Sequence, residues 1–359
     1  DRIDRRFMER LGPTTVAVEE EVQPAMACRG CAAKLGAAPL AAALARLETS
    51  GQAPAAEDAV PLLRQADGVL LQSVDGFPAL VEDPWLNARL TTLHACSDLW
   101  ACGAEVDSVQ ALVTLPQVAD LLQEELLHQC LAGVRSVLNP LGGRLIGGHT
   151  LEGRDGAGLS LALCVQGWVQ PGRRPWPKGP LRPGDALLLC RPLGSGVLLA
   201  AAMAGAADPL WLDRLLVALQ QSQAPLVALL QAHGVHACTD VTGFGLLGHL
   251  GEMLAASPGL RLSLDPAAVP AWSGALELLD RGYASTLAPS NARALALLGG
   301  AVRLVSSSEG SQAHLDLLLD PQTCGPLLAA LPAEGATAAL QALQAAGFSD
   351  AALIGWVED

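Results

Sequence analysis

The stretch Thr239–Leu250 reads TDVTGFGLLGHL. It contributes most to the assignment of the fold, because an acid and several glycines open a helix there. Asp240 lies where an apolar pattern gives way to small and polar residues, and we predict a helix over 241–254. The glycines follow neither the Walker P-loop nor the dinucleotide-binding fingerprint in its usual setting. The stretch is therefore typical of neither of these two common phosphate-binding helices.

Strands and helices alternate on both sides of this stretch without a strict period, which predicts an α/β (α+β) protein of two domains. Segment 171–184 (PGRRPWPKGPLRPG) contains five prolines, so it suits neither a helix nor a central strand and marks the domain boundary. We therefore expect a flexible lead over 1–27, a first domain over 28–172 and a second over 173–359. Helices are predicted over 35–47, 85–102, up to 139, 196–205, 209–233, 241–254 and 332–346, and strands over 68–75, 105–115, up to 147, 158–169, 185–190, 260–264, 302–305, 315–319 and 351–357.

Composition restricts the class of protein. Of the 359 residues, 51% are apolar, which fits a well-filled globular core, and no apolar run reaches the roughly 18 residues that span a bilayer. A net charge of −14 argues against broad nucleic-acid binding and makes any polyphosphate ligand dependent on bridging cations. The first residues lack the apolar segment of a signal peptide. Nine scattered cysteines, an odd number, are typical of a reduced cytoplasmic protein.

A second stretch, Cys28–Lys34 (CRGCAAK), places two thiols and an ammonium within seven residues. Lysine is scarce, because Lys34 and Lys178 are the only two in the sequence. An ammonium beside a thiol favours the reactive thiolate, and it can also hold a phosphate. Two other interpretations stay open: Cys28 and Cys31 form half of a zinc site, or the lysine opens a helix in solvent.

Four aspartates lie where the chain turns from an apolar pattern to small and polar residues, namely Asp58, Asp75, Asp98 and Asp240. Carboxylates in such positions can converge on a hard cation such as Mg²⁺, which takes oxygen ligands and brings in phosphates. Each can instead be a helix cap or a turn residue. Asp98 fits that second interpretation least, because it falls inside an apolar helical pattern where a carboxylate needs a partner.

The segment Gly147-Gly148-His149-Thr150 follows a predicted strand. Its bare backbone can present N–H groups to phosphate oxygens. A glycine pair by itself is a weak signal, and His149 is as readily a structural turn residue as a ligand or a base.

Together these stretches resemble the selenophosphate synthetase (selenide, water dikinase) family, within the ATP-binding superfamily that includes aminoimidazole ribonucleotide synthetase. The resemblance covers nearly the whole chain after the lead. It rests on CxxK at 31–34, SVDGF and EDP within 73–84, SDLWACGA at 97–104, GGHT at 147–150, TDVTGFGLLGHL at 239–250 and DPQTCG at 320–325. Of these, the stretch at 239–250 is the hardest to reach by chance.

This resemblance implies an enzyme that converts ATP, selenide and water into selenophosphate, AMP and orthophosphate. It implies that Cys31 is the catalytic cysteine and Lys34 the catalytic lysine. The implied Mg²⁺ ligands are Asp58, Asp98 and Asp240, and the implied ATP contacts are Lys34, Asp75, Asp98, Gly147, Gly148 and His149.

The resemblance also implies an assembly. Residues 147–149 would form a loop that reaches the ATP bound by the partner subunit, in a homodimer whose first-domain sheets join into a central barrel. The expected partners are thus ATP, selenide and a second copy of the chain, with neither nucleic acid nor a membrane.

The sequence departs from the family pattern in places. Glu57-Asp58 stands where two aspartates are expected, His94 where an asparagine is expected, and Cys324-Gly325-Pro326 where serine and two glycines are common. Some family members are fused behind a flavin-dependent oxidoreductase, and residues 1–20 are consistent with the tail of such a fusion.

Two other functions remain as alternatives. Another kinase or ligase of the same superfamily, acting on a ribotide or a thiamine phosphate, would not need Cys31 and Lys34. A non-catalytic module that holds zinc through Cys28 and Cys31 would carry stoichiometric zinc and turn over no ATP.

Overall fold

Two β-sheets, one from each half of the chain, form the framework of the fold. The computed structural model describes residues 28–36, 39–40, 57–65, 68–154, 156–294, 301–305 and 311–359. The predicted lead over 1–27 and most of the predicted helix over 35–47 lie outside these ranges. Strands and helices are mixed in both halves, so the α/β (α+β) class expected from the sequence is confirmed.

The first sheet has one packed face and one open face. Its strands are β1 (Val60–Gln65), β2 (Gly68–Pro78), β3 (Glu105–Leu115), β4 (Arg144–Glu152) and β5 (Ser160–Val169), in the order β1-β2-β5-β3-β4. Strands β3 and β4 pair in parallel, and the other neighbours are antiparallel. Buried and half-buried residues alternate along all of β5. Such alternation is typical of a sheet that packs on a core with one face only.

The second sheet lies deeper in the protein. Its strands are β6 (Asp185–Leu189), β7 (Ala237–Asp240), β8 (Arg261–Leu264), β9 (Val302–Leu304), β10 (Leu327–Pro332) and β11 (Ala352–Glu358), in the order β7-β10-β6-β11-β8-β9. Every residue of β6 and β7 is buried. Both strands therefore have to be apolar or fully hydrogen-bonded, which makes a charged residue there conspicuous.

Ten α-helices in the described residues accompany the sheets. They are α1 (Pro84–Ala101), α2 (Asp120–Leu138), α3 (Ser195–Met203), α4 (Pro209–Leu219), α5 (Ala224–Ala232), α6 (Gly245–Ala255), α7 (Ala275–Asp280), α8 (Ala288–Ala294), α9 (Gln312–Leu317) and α10 (Ala333–Ala345).

Helix α1 joins the two halves. It begins where Asp83 caps the helix by accepting a hydrogen bond from the backbone N–H of Leu86 at 2.9 Å, with Pro84 in the first turn. Its residues are buried around the whole circumference, because it packs on the first sheet and also on β7 and β10 of the second. Its carboxyl end therefore meets the end of β7.

The proline-rich segment 171–184 is anchored to both halves. The backbone N–H of Trp176 donates to the carbonyl of Cys102 at 3.0 Å, and the carbonyl of Pro177 accepts from Cys238 N–H at 3.0 Å. The N–H of Leu181 donates to the hydroxyl of Ser257 at 2.8 Å. The segment is thus a fixed structural element over part of its length.

The structure corrects three predicted elements. The helix expected over 209–233 is two helices bent by 64°, because Pro225 lies in the first turn of α5 and cannot continue a helix interior. The helix expected over 241–254 starts only at Gly245, after β7. The strand expected over 315–319 is wrong: this apolar run belongs partly to α9, whose Ala313 and Leu317 face the core one turn apart.

A membrane-spanning length was sought among the helices of the described ranges. No single one is long and apolar enough, and only α4 and α5 taken together as a bent pair reach that length and composition.

Candidate active site

Residues 28–36, which we call the Lys34 segment, lie against the second half of the chain. Cys31 is part of a short 3-10 turn, Gly30–Ala33, and the backbone N–H of Cys28 donates to Thr286 Oγ1 at 3.3 Å. Lys34 is exposed, and its Nζ lies 4.7 Å from the ring centroid of Phe244, within Thr239–Leu250. A cation over an aromatic ring is weakly held at an exposed site, so the ammonium can leave this position readily.

A cavity of about 110 Å³ lies beside Lys34, and Asp75 and His94 contribute to its wall. The ring of His94 accepts a hydrogen bond at Nδ1 from the backbone N–H of Cys324 at 3.2 Å. Because a backbone amide can only donate, the neutral ring carries its proton on Nε2, which lies 3.1 Å from Asp75 Oδ2. Burial alone would raise the pKa of Asp75, but His94, Lys34 and the N–H of Gly76 together lower it below its usual value. Asp75 is therefore held ionised.

Three of the predicted acids converge next to this cavity. Carboxylate oxygens of Asp58, Asp98 and Asp240 lie within 4.8 Å of one another. Asp58 precedes β1, Asp98 lies in the last turn of α1, and Asp240 ends β7. The contact of α1 with both sheets is what brings these distant residues together. We call these three residues the acid cluster.

Burial and crowding raise the proton affinity of the acid cluster. Burial raises the pKa of Asp58 to about 8, with Lys178 opposing this shift and Asp240 adding to it. Burial also raises the pKa of Asp98 well above its usual value, and repulsion from Asp240 and Asp75 adds to the effect. Like charges brought together in a dry environment favour the neutral acid unless a cation binds.

Hydroxyl groups orient these acids. Ser73 donates to Asp98 Oδ2, Ser97 donates to Asp240 Oδ2, and Thr239 Oγ1 donates to Asp58 Oδ1 at 3.2 Å. The sequence analysis missed all three hydroxyls as functional candidates. For two of them the sequence contained a signal, because Ser97 and Thr239 each directly precede an acid of the cluster.

The acid cluster fits a divalent cation. Carboxylate oxygens are the ligands that Mg²⁺ prefers, and three of them converge here. Oδ2 of Asp58 is buried and has no hydrogen-bond partner among the described residues. A buried carboxylate oxygen without a donor is costly unless a cation satisfies it. The donor set and this unsatisfied oxygen therefore both favour a metal ion.

Lys178 reaches the acid cluster from the proline-rich segment. Its Nζ lies 2.8 Å from Asp58 Oδ1 and 2.6 Å from Glu252 Oε2. His249 lies next to this pair, with Nδ1 3.4 Å from Glu252 Oε2. The sequence did not single out Lys178, Glu252 or His249 as a site residue. No spacing rule connects Lys178 to an acid that lies so far away along the chain.

Residues Gly147, Gly148 and His149 lie away from the other predicted site residues. They belong to strand β4, so the expected loop is a strand. Gly148 and Asp75 lie on one line of paired residues, separated by β5 and β3, which corresponds to about 14 Å at about 4.8 Å per strand. Gly148 also has a local reason to be glycine, since a Cβ there would lie 2.0 Å from the carbonyl oxygen of Ala111.

Domain-family models match both halves of the chain. The model described as AIR synthase related protein, N-terminal domain, matches residues 56–169. The model described as AIR synthase related protein, C-terminal domain, matches residues 182–359.

Curated relatives are similar over almost the whole length. A selenide, water dikinase of Pelobacter propionicus is 33% identical over 353 residues, covering 96% of this chain and 96% of that protein. A selenide, water dikinase of Myxococcus xanthus is 35% identical over 342 residues, covering 92% of each.

Among solved structures, AaThiL complexed with AMPPCP and TMP is similar, with a TM-score of 0.64 and 16% identity over 90% of this chain and 91% of that one. At this level of identity the similarity concerns the fold alone.

Proposed function

The chain belongs to the selenide, water dikinase family, and from this premise we propose how its own residues form selenophosphate, AMP and orthophosphate from ATP, selenide and water. One observation carries the proposal: Lys34 and Asp75 line one cavity, and the acid cluster converges close enough behind Asp75 for Asp75 and Asp98 to repel each other. Phosphoryl transfer needs charge stabilisation and positioning above all, and these groups supply both.

Asp58, Asp98 and Asp240 would hold Mg²⁺. When bound, the ion neutralises phosphate charge that would otherwise be repelled by these acids. The side chains themselves are held by Ser73, Ser97 and Thr239, so the ligand oxygens are oriented before nucleotide arrives. Such preorganisation lowers the cost of binding a charged substrate.

Lys34 would stabilise negative charge on the phosphoryl group in transfer. Its ammonium is exposed and lies at the edge of the cavity over Phe244, so a rotation of its own side chain brings it to the substrate. Selenide would be the nucleophile, and Cys31, three residues earlier in the chain, would assist as a thiolate that the nearby ammonium favours. A segment that closes over bound ATP would bring both residues to the reacting atoms and exclude water.

Asp75 and His94 would position the nucleotide from the opposite wall. Both oxygens of Asp75 are engaged, Oδ1 by the N–H of Gly76 at 2.6 Å and Oδ2 by His94. The carboxylate therefore has a fixed orientation, and as an anion it would meet ATP phosphates through a bridging cation.

A homodimer would complete the site. On the open face of the first sheet, Val74, Leu112 and Leu151 have exposed fractions of 66%, 42% and 45%. Leu112 pairs with His149 across the ladder, so His149 lies on the same face. A second copy packed on this apolar face would cover it and place His149 at the interface, as expected for residues that reach the partner's ATP. The joining of two such sheets into a central barrel is part of this proposal.

The same proposal divides the chain at the proline-rich segment, into 28–172 and 173–359. The two sheets lie on either side of this boundary. The first matched domain model ends at residue 169 and the second begins at residue 182.

Phosphorus NMR of ATP with and without selenide under reducing conditions tests the proposed function. We expect AMP, orthophosphate and a selenophosphate signal that appears only with selenide. Cys31→Ala should abolish that signal and Lys34→Ala should reduce it strongly, whereas Arg29→Ala in the same segment serves as the matched control and should retain it.

Two results would contradict this function. Conversion of ATP to ADP with no effect of selenide would favour another kinase of the superfamily. Stoichiometric zinc in the purified protein without ATP turnover would favour the zinc-holding module.

A further inference from the structure

Lys178 is a buried ammonium in a segment whose backbone is fixed. Only 7% of the residue is exposed. Its own N–H donates to Glu57 Oε2 at 2.9 Å, and the adjacent Pro177 carbonyl accepts from Cys238. Burying an ammonium costs several kcal/mol unless it is paired with good geometry. Its pairing with Asp58 and Glu252 is therefore the reason that this side chain can lie inside the protein.

The ammonium of Lys178 contacts two carboxylates. It contacts Asp58 Oδ1 on one side and Glu252 Oε2 on the other, at 2.8 and 2.6 Å. Oδ1 of Asp58 also accepts from Thr239, so that oxygen is fully occupied. The other oxygen, Oδ2, is the buried one without a partner. The carboxylate is thus turned so that one oxygen faces protein donors and the other remains available to a cation.

Glu252 lies beside His249. The N–H of Thr242 donates to His249 Nε2 at 3.1 Å, so in the neutral ring the proton lies on Nδ1, which points toward Glu252 Oε2 at 3.4 Å. Burial alone would raise the pKa of Glu252, but His249 and Lys178 hold it at about 2. Glu252 therefore shares the ammonium of Lys178 with Asp58.

We propose that Lys178 is a positioning residue of the metal centre, whose ammonium, shared with Glu252, fixes Asp58 with one oxygen directed toward the divalent cation. This inference rests on the proposed metal role of Asp58. It assigns a function to the proline-rich segment, which brings Lys178 to an acid of the other half of the chain. Residues that orient a metal ligand typically contribute about 10–100-fold to metal affinity.

Mn²⁺ binding to the nucleotide-free protein, followed by electron paramagnetic resonance, tests the inference without using activity. Lys178→Met should weaken Mn²⁺ binding about 10–100-fold. Lys34→Met, which removes the other lysine, should leave Mn²⁺ binding unchanged because Lys34 does not contact the acid cluster. An ammonium that only repelled the cation would give tighter binding in Lys178→Met, and this result, like an unchanged affinity, would overturn the inference.

A double-mutant cycle separates positioning from a general effect on folding. In an Asp58→Asn background, Lys178→Met should cost no further Mn²⁺ affinity, because the ligand that it orients is gone. An equal additional loss in that background would overturn the inference. If Lys178→Met fails to fold, Glu252→Gln replaces it: the ammonium then pairs with Asp58 alone, and Mn²⁺ binding should again weaken, whereas wild-type affinity would count against the inference.

The cycle also distinguishes this inference from the proposed function. If Asp58→Asn itself binds Mn²⁺ like the wild type, the metal role of Asp58 fails and the inference fails with it. If Asp58→Asn loses Mn²⁺ while Lys178→Met and Glu252→Gln do not, only the role of Lys178 fails.

Discussion

The two lysines of this chain carry the same charge in opposite settings. Lys34 lies exposed on a short turn segment and touches one aromatic ring. Lys178 is buried between two carboxylates in a segment that is hydrogen-bonded to both halves. A cation near this site can therefore serve by moving or by staying fixed. Lys34 can follow a substrate, and Lys178 holds the acids that bind one.

The settings also differ in energy. An exposed ammonium contributes little to folding, and its removal leaves no unpaired charge. Removing a buried ammonium leaves Asp58 and Glu252 facing each other without compensation, which typically costs about 3–5 kcal/mol.

Lys34→Ala should reduce selenophosphate formation about 10²–10³-fold, because it removes a charge that acts on the transferred phosphoryl group. The melting temperature and Mn²⁺ affinity should match the wild type. Steady-state kinetics and thermal denaturation check this. A melting temperature lowered by several degrees would show that Lys34 is structural, and the contrast with Lys178 would then break.

Asp98→Asn should abolish stabilisation by Mg²⁺ and yet stabilise the metal-free protein. Because the pKa of Asp98 is raised well above its usual value in the folded protein, folding at neutral pH without metal costs the uptake of a proton. The amide keeps the shape and needs no proton, so the apo melting temperature should rise by about 2–4 °C. Differential scanning calorimetry with and without Mg²⁺ measures both effects. A fall in the apo melting temperature would indicate that the repulsion is already compensated, with Lys178 doing more than positioning.

Stability of the metal-free protein should decrease as pH rises. The pKa of Asp58 is raised to about 8 in the folded state, so the folded protein binds a proton that the unfolded chain has released. Stability from this group is full below the unfolded pKa near 4 and is lost as pH rises toward 8. Asp320, buried and with its pKa raised to about 7, contributes in the same direction.

Thermal melts from pH 5 to 8.5 check this prediction. Mg²⁺ should flatten the decline, and Asp58→Asn should reduce it while leaving the part due to Asp320. A melting temperature that rises through this pH range without metal would show that Lys178 outweighs burial and keeps Asp58 ionised.

His94→Asn should have the smallest effect. It replaces the donor to Asp75 by a shorter one, and loss of one such hydrogen bond costs about 1 kcal/mol, or about fivefold. We expect the change mainly in KM for ATP, with kcat less affected. A fall in kcat of this size with KM for ATP unchanged would instead indicate that Asp75 acts with Lys34 in phosphoryl transfer rather than in positioning the nucleotide.

Much of the fold could be predicted because its signals are local. The cap at Asp83-Pro84 fixes the start of α1, and strict alternation identifies β5. The family, the fold class and the enzyme activity inferred from motifs are confirmed by relatives of similar length. The short apolar run at 315–319 had no such signal, since apolar residues over five positions suit a strand or a helix.

The candidate site divides in the same way. Asp98 could be predicted because a carboxylate inside an apolar helix needs a partner. The structure places it beside Asp58 and Asp240. Lys178 could not, because its neighbours in sequence are prolines and glycines and its partners come from two other elements. The assignment of roles to these residues stays a prediction until the variants are measured.

The proline-rich segment sets a limit on how the length of this chain can vary. Residues 171–174 are exposed, so an insertion there would extend into solvent and shift nothing else. One residue inserted between Trp176 and Leu181 would displace the chain by up to about 3.5 Å. That is more than the 2.8 Å contact between Lys178 and Asp58 can absorb. In this family member the connection between the halves therefore has a stretch of fixed length, residues 176–181, next to a stretch whose length can vary, residues 171–174. Insertions or deletions should accumulate only over residues 171–174.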